Sequence, residues 1–404
     1  MSFSATKSLS QISKKASIGL LSSIQSAFSS TLSATTSVAF GNVTTAFNNQ
    51  LNGFLTDLNA KRATAESYLQ DKLSIDPFFK SKLTRNKGVS LAWEYEKADV
   101  AMGGRGTVEG GWNDAELQQI RETGKVKMYD PYYDEVRTLE GHHINNVADH
   151  PKLQSNPDNI RFYRSREDHV NKGHNGDVNN PSSGELIDKN AKLTSTNRQR
   201  VIHNELRGVA MSAGIGFGVG FTLSVITELA IKGISSSNLG ELLSHATKTG
   251  AETAFISTLG YGAGRLATFG LTKMGVDVIR GTGAVMNYAA VGIAAIIIVS
   301  LYQYSRLRVS GVDKISAKNQ VAKQSLFSIS TLCVSMIAQG IYGGYAGVIV
   351  STSIGLLYFG YNVSKMISQK QKEEKFREET IDIYKEVAFN WRYRIWFTMI
   401  LLEK

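Results

Sequence analysis

Hydrophobic positions divide the chain into three kinds of segment. Over the first 80 residues apolar side chains recur at Leu9, Ile12, Ala16, Leu20, Ile24, Phe28 and Leu32, and again at Phe47, Leu51, Leu55 and Leu58. Steps of three and four place each set along one side of a helix. Residues 81–200 lose this period and mix aromatics, charges and turn residues, as in Trp93-Glu94-Tyr95-Glu96. From Gly208 long uncharged runs begin: 20 residues to Thr227, 25 from Gly281 to Ser305, and 41 from Gln324 to Ser364. A membrane span needs about 20 apolar residues. The pattern therefore predicts four transmembrane helices, the last two joined by a turn at Gly343-Gly344, with a fifth candidate, Thr253–Thr272, interrupted by Arg265.

These boundaries give four regions. An amphipathic, Ser/Thr-rich helical segment covers 1–80, a mixed domain 81–200, a hydrophobic multi-helix membrane domain 201–365, and a basic amphipathic tail 366–404. Gly214, Gly216, Gly218 and Gly220 form overlapping small-xxx-small pairs, which let helices approach closely in lipid and offer a route to homo-oligomers. Glu228 and Asn287 are the polar residues that fit a membrane least, and a soluble Gly-rich helical core is the competing reading. The first region contains no acid before Asp57, which suits helices packing on one another, an interfacial helix, or a translocation segment. Ser22, Ser23, Gln25 and Ser26 break the apolar core that a secretory signal would need. The stretch Ile395–Leu402 is too short to span and would lie at an interface beside Trp391 and Trp396.

Charge adds an orientation. Arg198, Arg200 and Arg207 precede the first run, Arg306, Arg308, Lys314, Lys318 and Lys323 separate the second from the third, and Lys365, Lys370, Lys372 and Lys375 follow the last. The positive-inside rule puts all three groups on the cytoplasmic side. A net charge of +10 suits nucleic acid or an acidic membrane surface. Cys333 is the single cysteine, which excludes an intrachain disulfide and any cysteine-based zinc site.

The chemistry concentrates in the mixed domain. Five of the seven histidines fall within 33 residues, and His142 and His143 are adjacent in Glu140-Gly141-His142-His143-Ile144. Asn159-Ile160-Arg161 follows, then His169 and His174, with His150 in the Asp149-His150-Pro151 turn read as surface. Adjacent residues of a strand face opposite ways, so one His of the pair can hold a metal while the other acts as a base. Ile160 and Phe162 suggest a second strand, and Ser165-Arg166-Glu167-Asp168 resembles a capping box opening a helix that carries His169. Arg161, Arg164 and Arg166 suit either phosphate contacts or a solvated face, Gly103-Gly104-Arg105-Gly106 reads as a turn, and His174 to Asn197 reads as turns and linker.

With these residues in view, segment 138–178 resembles the HNH (His-Me finger, ββα-metal) nucleases, particularly the GHH-signature toxin nucleases and the DNA-cleaving colicins. The resemblance implies an α+β fold in which a ββα-metal domain joins the helical membrane domain. It implies His143 as general base, and His142, His169 and His174 as ligands of a divalent ion, whether Mg, Mn, Ni or Zn. It further implies that Asn159 orients the base or touches the metal, that Glu140 tunes the site, and that products carry a 5′-phosphate and a 3′-hydroxyl. His169 and His174 are five apart where the colicin type has four. Five residues overshoot an α-helical turn by about 140°, so the helix must end or bend near Gly173.

The expectation is a membrane-anchored, metal-dependent endonuclease acting on DNA, or on RNA. It serves either as an antibacterial toxin, secreted or delivered and paired with an immunity protein, or as a resident of the bacterial inner membrane that cuts incoming phage or plasmid DNA with its nuclease domain in the cytoplasm. The alternative is a non-enzymatic membrane channel or scaffold whose histidines form a closed structural metal site.

Overall fold

The structure, a computed structural model, describes residues 2–232, 238–342 and 346–402. Side chains before Ser29 and after Arg392 lie outside the described ones, and so do the Leu9-to-Phe28 stripe, the Gly343-Gly344 turn and the side chain of Trp396. The chain divides into two compact units, one of residues 43–206 and one of residues 1–42 with 207–404.

In the unit 43–206, the first helix, α1 (Ser2–Ile75), turns one side inward through Leu51, Leu58, Ala65, Leu69 and Leu73. Leu51 and Leu58 pack with Tyr95, Ala98 and Met102 of α2 (Lys82–Ala101) and with Leu193 at the start of α5 (Lys189–Lys232). α2 starts where the Ser81 hydroxyl accepts the Leu83 N–H at 3.2 Å. Its other face sends Ala92, Trp93 and Val100 into the main core, which holds Val108, Trp112, Leu117, Ile120, Val126, Ile160 and Phe162. The Trp93 and Phe162 rings lie 4.0 Å apart by their centroids.

Short elements follow. α3 (Asp114–Thr123) is bounded by a reciprocal Asn113–Glu116 capping box and by Gly124 at φ 79°. β1 (Lys127–Asp130) and β2 (Glu135–Thr138) form one antiparallel pair, β3 (Gly141–His143) and β4 (Ile160–Phe162) another. In the second pair Gly141 faces Phe162, His142 faces Arg161 and His143 faces Ile160. Ile160 and Phe162 are buried while Arg161 between them is exposed, so the core fixes which face of this small sheet carries which histidine. α4 (Arg166–Asp168) is one turn long and continues as a π-helical turn, His169–Gly173. The segment read as linker up to Asn197 already becomes helical at Lys189, where Leu193 and Lys189 are buried against α2.

Gly141 is required by packing. A Cβ there would stand 2.9 Å from Ile160 Cγ2 and from Val89 Cγ1. Gly141→Ala is expected to destabilise this unit by about 1–3 kcal/mol through overpacking, read as a lower urea midpoint. An unchanged midpoint would remove packing as the reason for a glycine before the histidine pair.

The Gly103–Gly106 turn is an anion cradle filled by the protein itself. The Gly106 N–H donates to Asp99 Oδ2 at 2.7 Å and the Thr107 N–H to Glu96 Oε2 at 3.0 Å. Both carboxylates are buried, and Lys189, equally buried, reaches Glu96 at 3.4 Å and the Thr107 hydroxyl at 3.0 Å. Burial raises the pKa of Asp99 and lowers that of Lys189.

In the other unit, α6 (Leu239–Lys273), α7 (Gly281–Val309), α8 (Lys314–Tyr342) and α9 (Ala346–Leu402) pack in consecutive pairs. Three helices among the described residues are long and apolar enough to cross a membrane: Lys189–Leu229, Gly281–Val309 and Lys314–Ala338. The sequence pattern counted four, and the fourth falls in α9, where several side chains are outside the described set. Small and polar residues occupy several of the contacts, beside a buried apolar cluster of Tyr288, Ile296 and Leu332. Gly260 meets Ser33, Gly264 meets Ser37, and Gly216 and Gly220 meet Ser257 and Thr253, whereas Gly214 and Gly218 face open space. The hydroxyls of Ser33 and Ser37 donate to the carbonyls of Ser257 and Tyr261, each at 3.0 Å. Buried Asn287 accepts from the Thr268 hydroxyl at 2.8 Å, which accommodates a polar group in an apolar helix. Large apolar side chains such as Phe255, Leu266, Phe269, Ile293, Ile297, Leu301, Leu326 and Ile337 are exposed instead.

Candidate functional site

His142 leaves β3 on the face shared with Arg161 and is buried, 5% exposed. The site extends to His169 and His174, and one ring nitrogen from each of the three lies within 4.8 Å of the others. His142 Nδ1 and His169 Nε2 are 3.1 Å apart. The π-helical turn explains the five-residue spacing. A π turn closes over about five residues rather than about four, so it brings His174 back beside His169, where an α-helix would carry it away. Gly173 ends that turn against the rings, and a Cβ there would lie 3.2 Å from atoms of His142, His169 and Tyr163. The Tyr163 ring lies parallel to that of His169, 12° between planes and 5.8 Å between centroids.

The remaining nitrogens have their own partners. His169 Nδ1 is 3.6 Å from the Glu140 carboxylate, and His174 Nδ1 is 3.1 Å from the Asn180 carbonyl. An N–H at each of these positions leaves Nε2 of both rings as the lone-pair atom, the arrangement by which outer groups orient histidine ligands. Burial, followed by the charges of His169, His174, His143 and Arg161, pushes the His142 pKa down to about 3. Burial and then His174 lower that of His169, with Glu140 opposing. The neutral imidazole is the form that binds a metal.

Whether a metal fits is a matter of spacing and donors. Zn–N bonds of roughly 2.0–2.1 Å in a tetrahedron place nitrogens about 3.4 Å apart, close to the 3.1 Å contact and within a small closure of the 4.8 Å limit. The group contains three residues. Three protein ligands leave a coordination position for water or substrate, as catalytic sites do.

His143 points to the other face. Its Nε2 lies 3.1 Å from the carbonyl oxygen of Gln154, an acceptor, so Nε2 carries the hydrogen and Nδ1 keeps the lone pair. Gln154 is fully buried and held in place: its Nε2 donates to the carbonyls of Phe79 and Pro151, each at 2.9 Å, and its Oε1 accepts the Ser81 N–H at 3.2 Å. α2 comes close enough for this only because residue 88 is glycine, where a Cβ would be 2.8 Å from the Gln154 carbonyl oxygen. Burial lowers the His143 pKa, with the Gln154 bond opposing and Arg85 adding to the depression.

Asn159 bonds the backbone beside the histidine pair. Its Oδ1 accepts the Asn145 N–H at 2.8 Å and its Nδ2 donates to the Asn145 carbonyl at 2.9 Å, clasping the chain just beyond His143. Its own carbonyl accepts the Ile144 N–H at 2.8 Å. Arg164 belongs to the scaffold, donating to both carboxylate oxygens of buried Glu116 at 2.8 and 3.1 Å. Arg161 is exposed, Arg166 lies over the Tyr132 ring at 4.6 Å, and His150 is exposed. Ser165 caps α4 as expected, accepting the Asp168 N–H at 2.9 Å. Gln154, Asn180, Tyr163 and Arg85 escaped the sequence reading. Two of them act through backbone carbonyls, which carry no side-chain signal.

The model of the Tox-GHH family, described as a GHH-signature-containing HNH/Endo VII superfamily nuclease toxin, matches residues 81–164. That stretch includes Glu140, His142, His143 and Asn159 and ends before His169. No curated protein and no solved structure matches the chain.

Proposed function

We propose that the chain, of which residues 81–164 match the model of a GHH-signature nuclease toxin family in the HNH/Endo VII superfamily, is a divalent-metal-dependent endonuclease, membrane-associated and active on DNA. The observation that carries the reading is the triad of His142, His169 and His174 on one side of the strand whose next residue, His143, is a half-buried base of fixed tautomer. A divalent ion held by the triad would supply positive charge at the phosphate and leaving oxygens. His143 takes the proton of the attacking water at Nδ1 while its Nε2–H stays on the Gln154 carbonyl. Asn159 is a positioning residue that clasps the segment after His143. Glu140 orients His169. Arg161, on the face of His142, and Arg85, beside His143, supply cationic contacts for the strand being cut.

Membrane association is supported by the helical unit. Gly, Ser and Thr make close helix contacts beside a buried apolar cluster of Tyr288, Ile296 and Leu332, while many Phe, Leu and Ile side chains face outward, a distribution that suits lipid. With the basic loops on the cytoplasmic side, the unit either anchors the nuclease or helps deliver it. Toxins of this kind imply a cognate immunity protein, and a net charge of +10 would favour an acidic one. A closed structural metal site would need a fourth protein ligand, and among the described residues the group of histidines and acids contains three.

The test is plasmid cleavage by the full-length chain in detergent micelles, with Mg²⁺, Mn²⁺, Ni²⁺ or Zn²⁺ beside EDTA. Cleavage is expected with at least one ion and none in EDTA. His142→Ala is expected to weaken metal binding about 100-fold or more, since the loss of a direct ligand exceeds the 10–100-fold cost of losing an outer partner. Metal-loaded protein that leaves DNA and RNA intact would discard the reading.

A further inference from the structure

Beside the metal triad lies a cleft of about 380 Å³ that the cleavage chemistry does not use. The β1–β2 hairpin forms one side, and Tyr163, Arg166, His169 and Val170 the other. The hairpin carries Tyr129, Tyr132 and Tyr133, which are 59, 70 and 42% exposed. Three exposed tyrosines, one on β1 and two in the turn to β2, gain little from burial, so their place on the hairpin calls for another reason.

Cations accompany the rings. The Arg166 guanidinium sits 4.6 Å from the Tyr132 centroid and 5.6 Å from that of Tyr133, and the Arg137 guanidinium is 4.0 Å from Tyr133. Tyr132 and Tyr133 pack edge to face at 4.8 Å, which makes the assembly rigid. Met128, Leu139 and Val170 give the cleft apolar surface, and Glu140 and His169 close the end nearest the triad. The charges in the lining are mixed, with Asp130, Glu140 and Glu167 beside Arg137, Arg164 and Arg166. The opposite charges offset one another, so the lining does not select for a phosphate. A neutral planar ring finds aromatic and apolar surface there.

We propose that this cleft binds one unpaired nucleobase of the substrate strand, stacked on Tyr132 and flanked by Arg166, next to the phosphate presented to the triad. The proposal rests on the nuclease reading and adds the substrate class, a strand that is single or locally unpaired at the cut. Aromatic side chains with neighbouring arginines are sequence-tolerant platforms for unpaired bases. A base held in a duplex stack cannot enter a cleft of this kind without being turned out of the helix.

The experiment separates binding from cleavage. Full-length protein in micelles with EDTA is titrated against oligonucleotides carrying 2-aminopurine, single-stranded or in a duplex, in deoxy and ribo forms. The single-stranded probe is expected to bind more tightly, with its fluorescence quenched by stacking. Tyr132→Ala should weaken that binding about tenfold, the change equivalent to about 1.4 kcal/mol of base stacking, and restore the fluorescence. Tyr132→Phe should keep both, and duplex binding should not move in either variant. If wild-type protein cuts DNA with metal while Tyr132→Ala still binds and quenches the single-stranded probe, the platform is overturned and the nuclease stands. If wild-type protein neither binds nor cuts any of these probes, both fall.

Discussion

Replacing His143 by alanine is expected to slow metal-dependent plasmid cleavage by about 10²–10⁴-fold, the usual contribution of a positioned general base, without weakening metal binding. The reason lies in strand geometry. His142 and His143 are neighbours on β3 and face opposite ways, so removing His143 takes nothing from the triad of His142, His169 and His174. The Gln154 carbonyl fixes the hydrogen on His143 Nε2 and leaves Nδ1 as the acceptor. Glutamine at 143 could keep a donor to Gln154 but would present no nitrogen lone pair, so His143→Gln should fail nearly as badly. The pH profile adds an independent check. Burial holds His143 below its ordinary 6.5, and a base works only unprotonated. Activity should therefore persist as pH falls through 6.5 and decline only near the lower, folded pKa. A His143→Ala protein that cuts at the wild-type rate, or a wild-type profile that collapses above pH 6.5, would remove His143 from this role.

Much of the candidate site was legible because the residues concerned are rare and closely spaced. Alternation along β3 separated the two histidines, and Ile160 and Phe162 marked the partner strand by the same alternation. The five-residue step from His169 to His174 signalled a departure from the α-helix, but not its form. A π turn, here His169–Gly173, is a local rearrangement of backbone hydrogen bonds. No side-chain period encodes it. Asn159 was legible as a residue of interest and not in its contacts, since clasping Asn145 depends on the path of a loop fourteen residues long in separation. The aromatic hairpin was missed because exposed tyrosines on a short strand and in its turn have no periodic signature. In the helical unit, charge-free runs marked the apolar helices directly, whereas which glycines make contact depended on helix rotation: Gly216 and Gly220 do, Gly214 and Gly218 do not.

The second large effect lies away from the chemistry, at Glu96. Trp112 Nε1 donates to its carboxylate at 2.7 Å, the Thr107 N–H at 3.0 Å, the Thr107 hydroxyl also bonds it, and Lys189 stands at 3.4 Å. Glu96→Ala would strand a buried lysine cation and an indole N–H together. Breaking one side of a buried pair costs about 3–5 kcal/mol, and at about 2–4 °C per kcal/mol for a unit of this size the unfolding of the 43–206 unit should move down by about 6–20 °C. The deficit should grow as the solution becomes more acidic. Without Glu96, burial, opposed only by the charges of Asp158 and Asp99, holds the Lys189 pKa further below the 10.5 of the unfolded chain, so the unfolded state binds the extra proton and stability is lost as pH falls through that window. Adding Lys189→Met to Glu96→Leu should recover part of the loss, because the stranded charge is gone while Trp112 Nε1 and the Thr107 N–H still lack an acceptor. Activity should follow by a structural route. The Lys189 N–H also holds Asp158 Oδ1 at 3.2 Å, and Asp158 precedes the Asn159 that clasps the chain after His143. Calorimetry of the single and paired variants at two pH values measures all of this. Additive effects within about 0.5 kcal/mol would mean that Glu96 and Lys189 do not act as a pair.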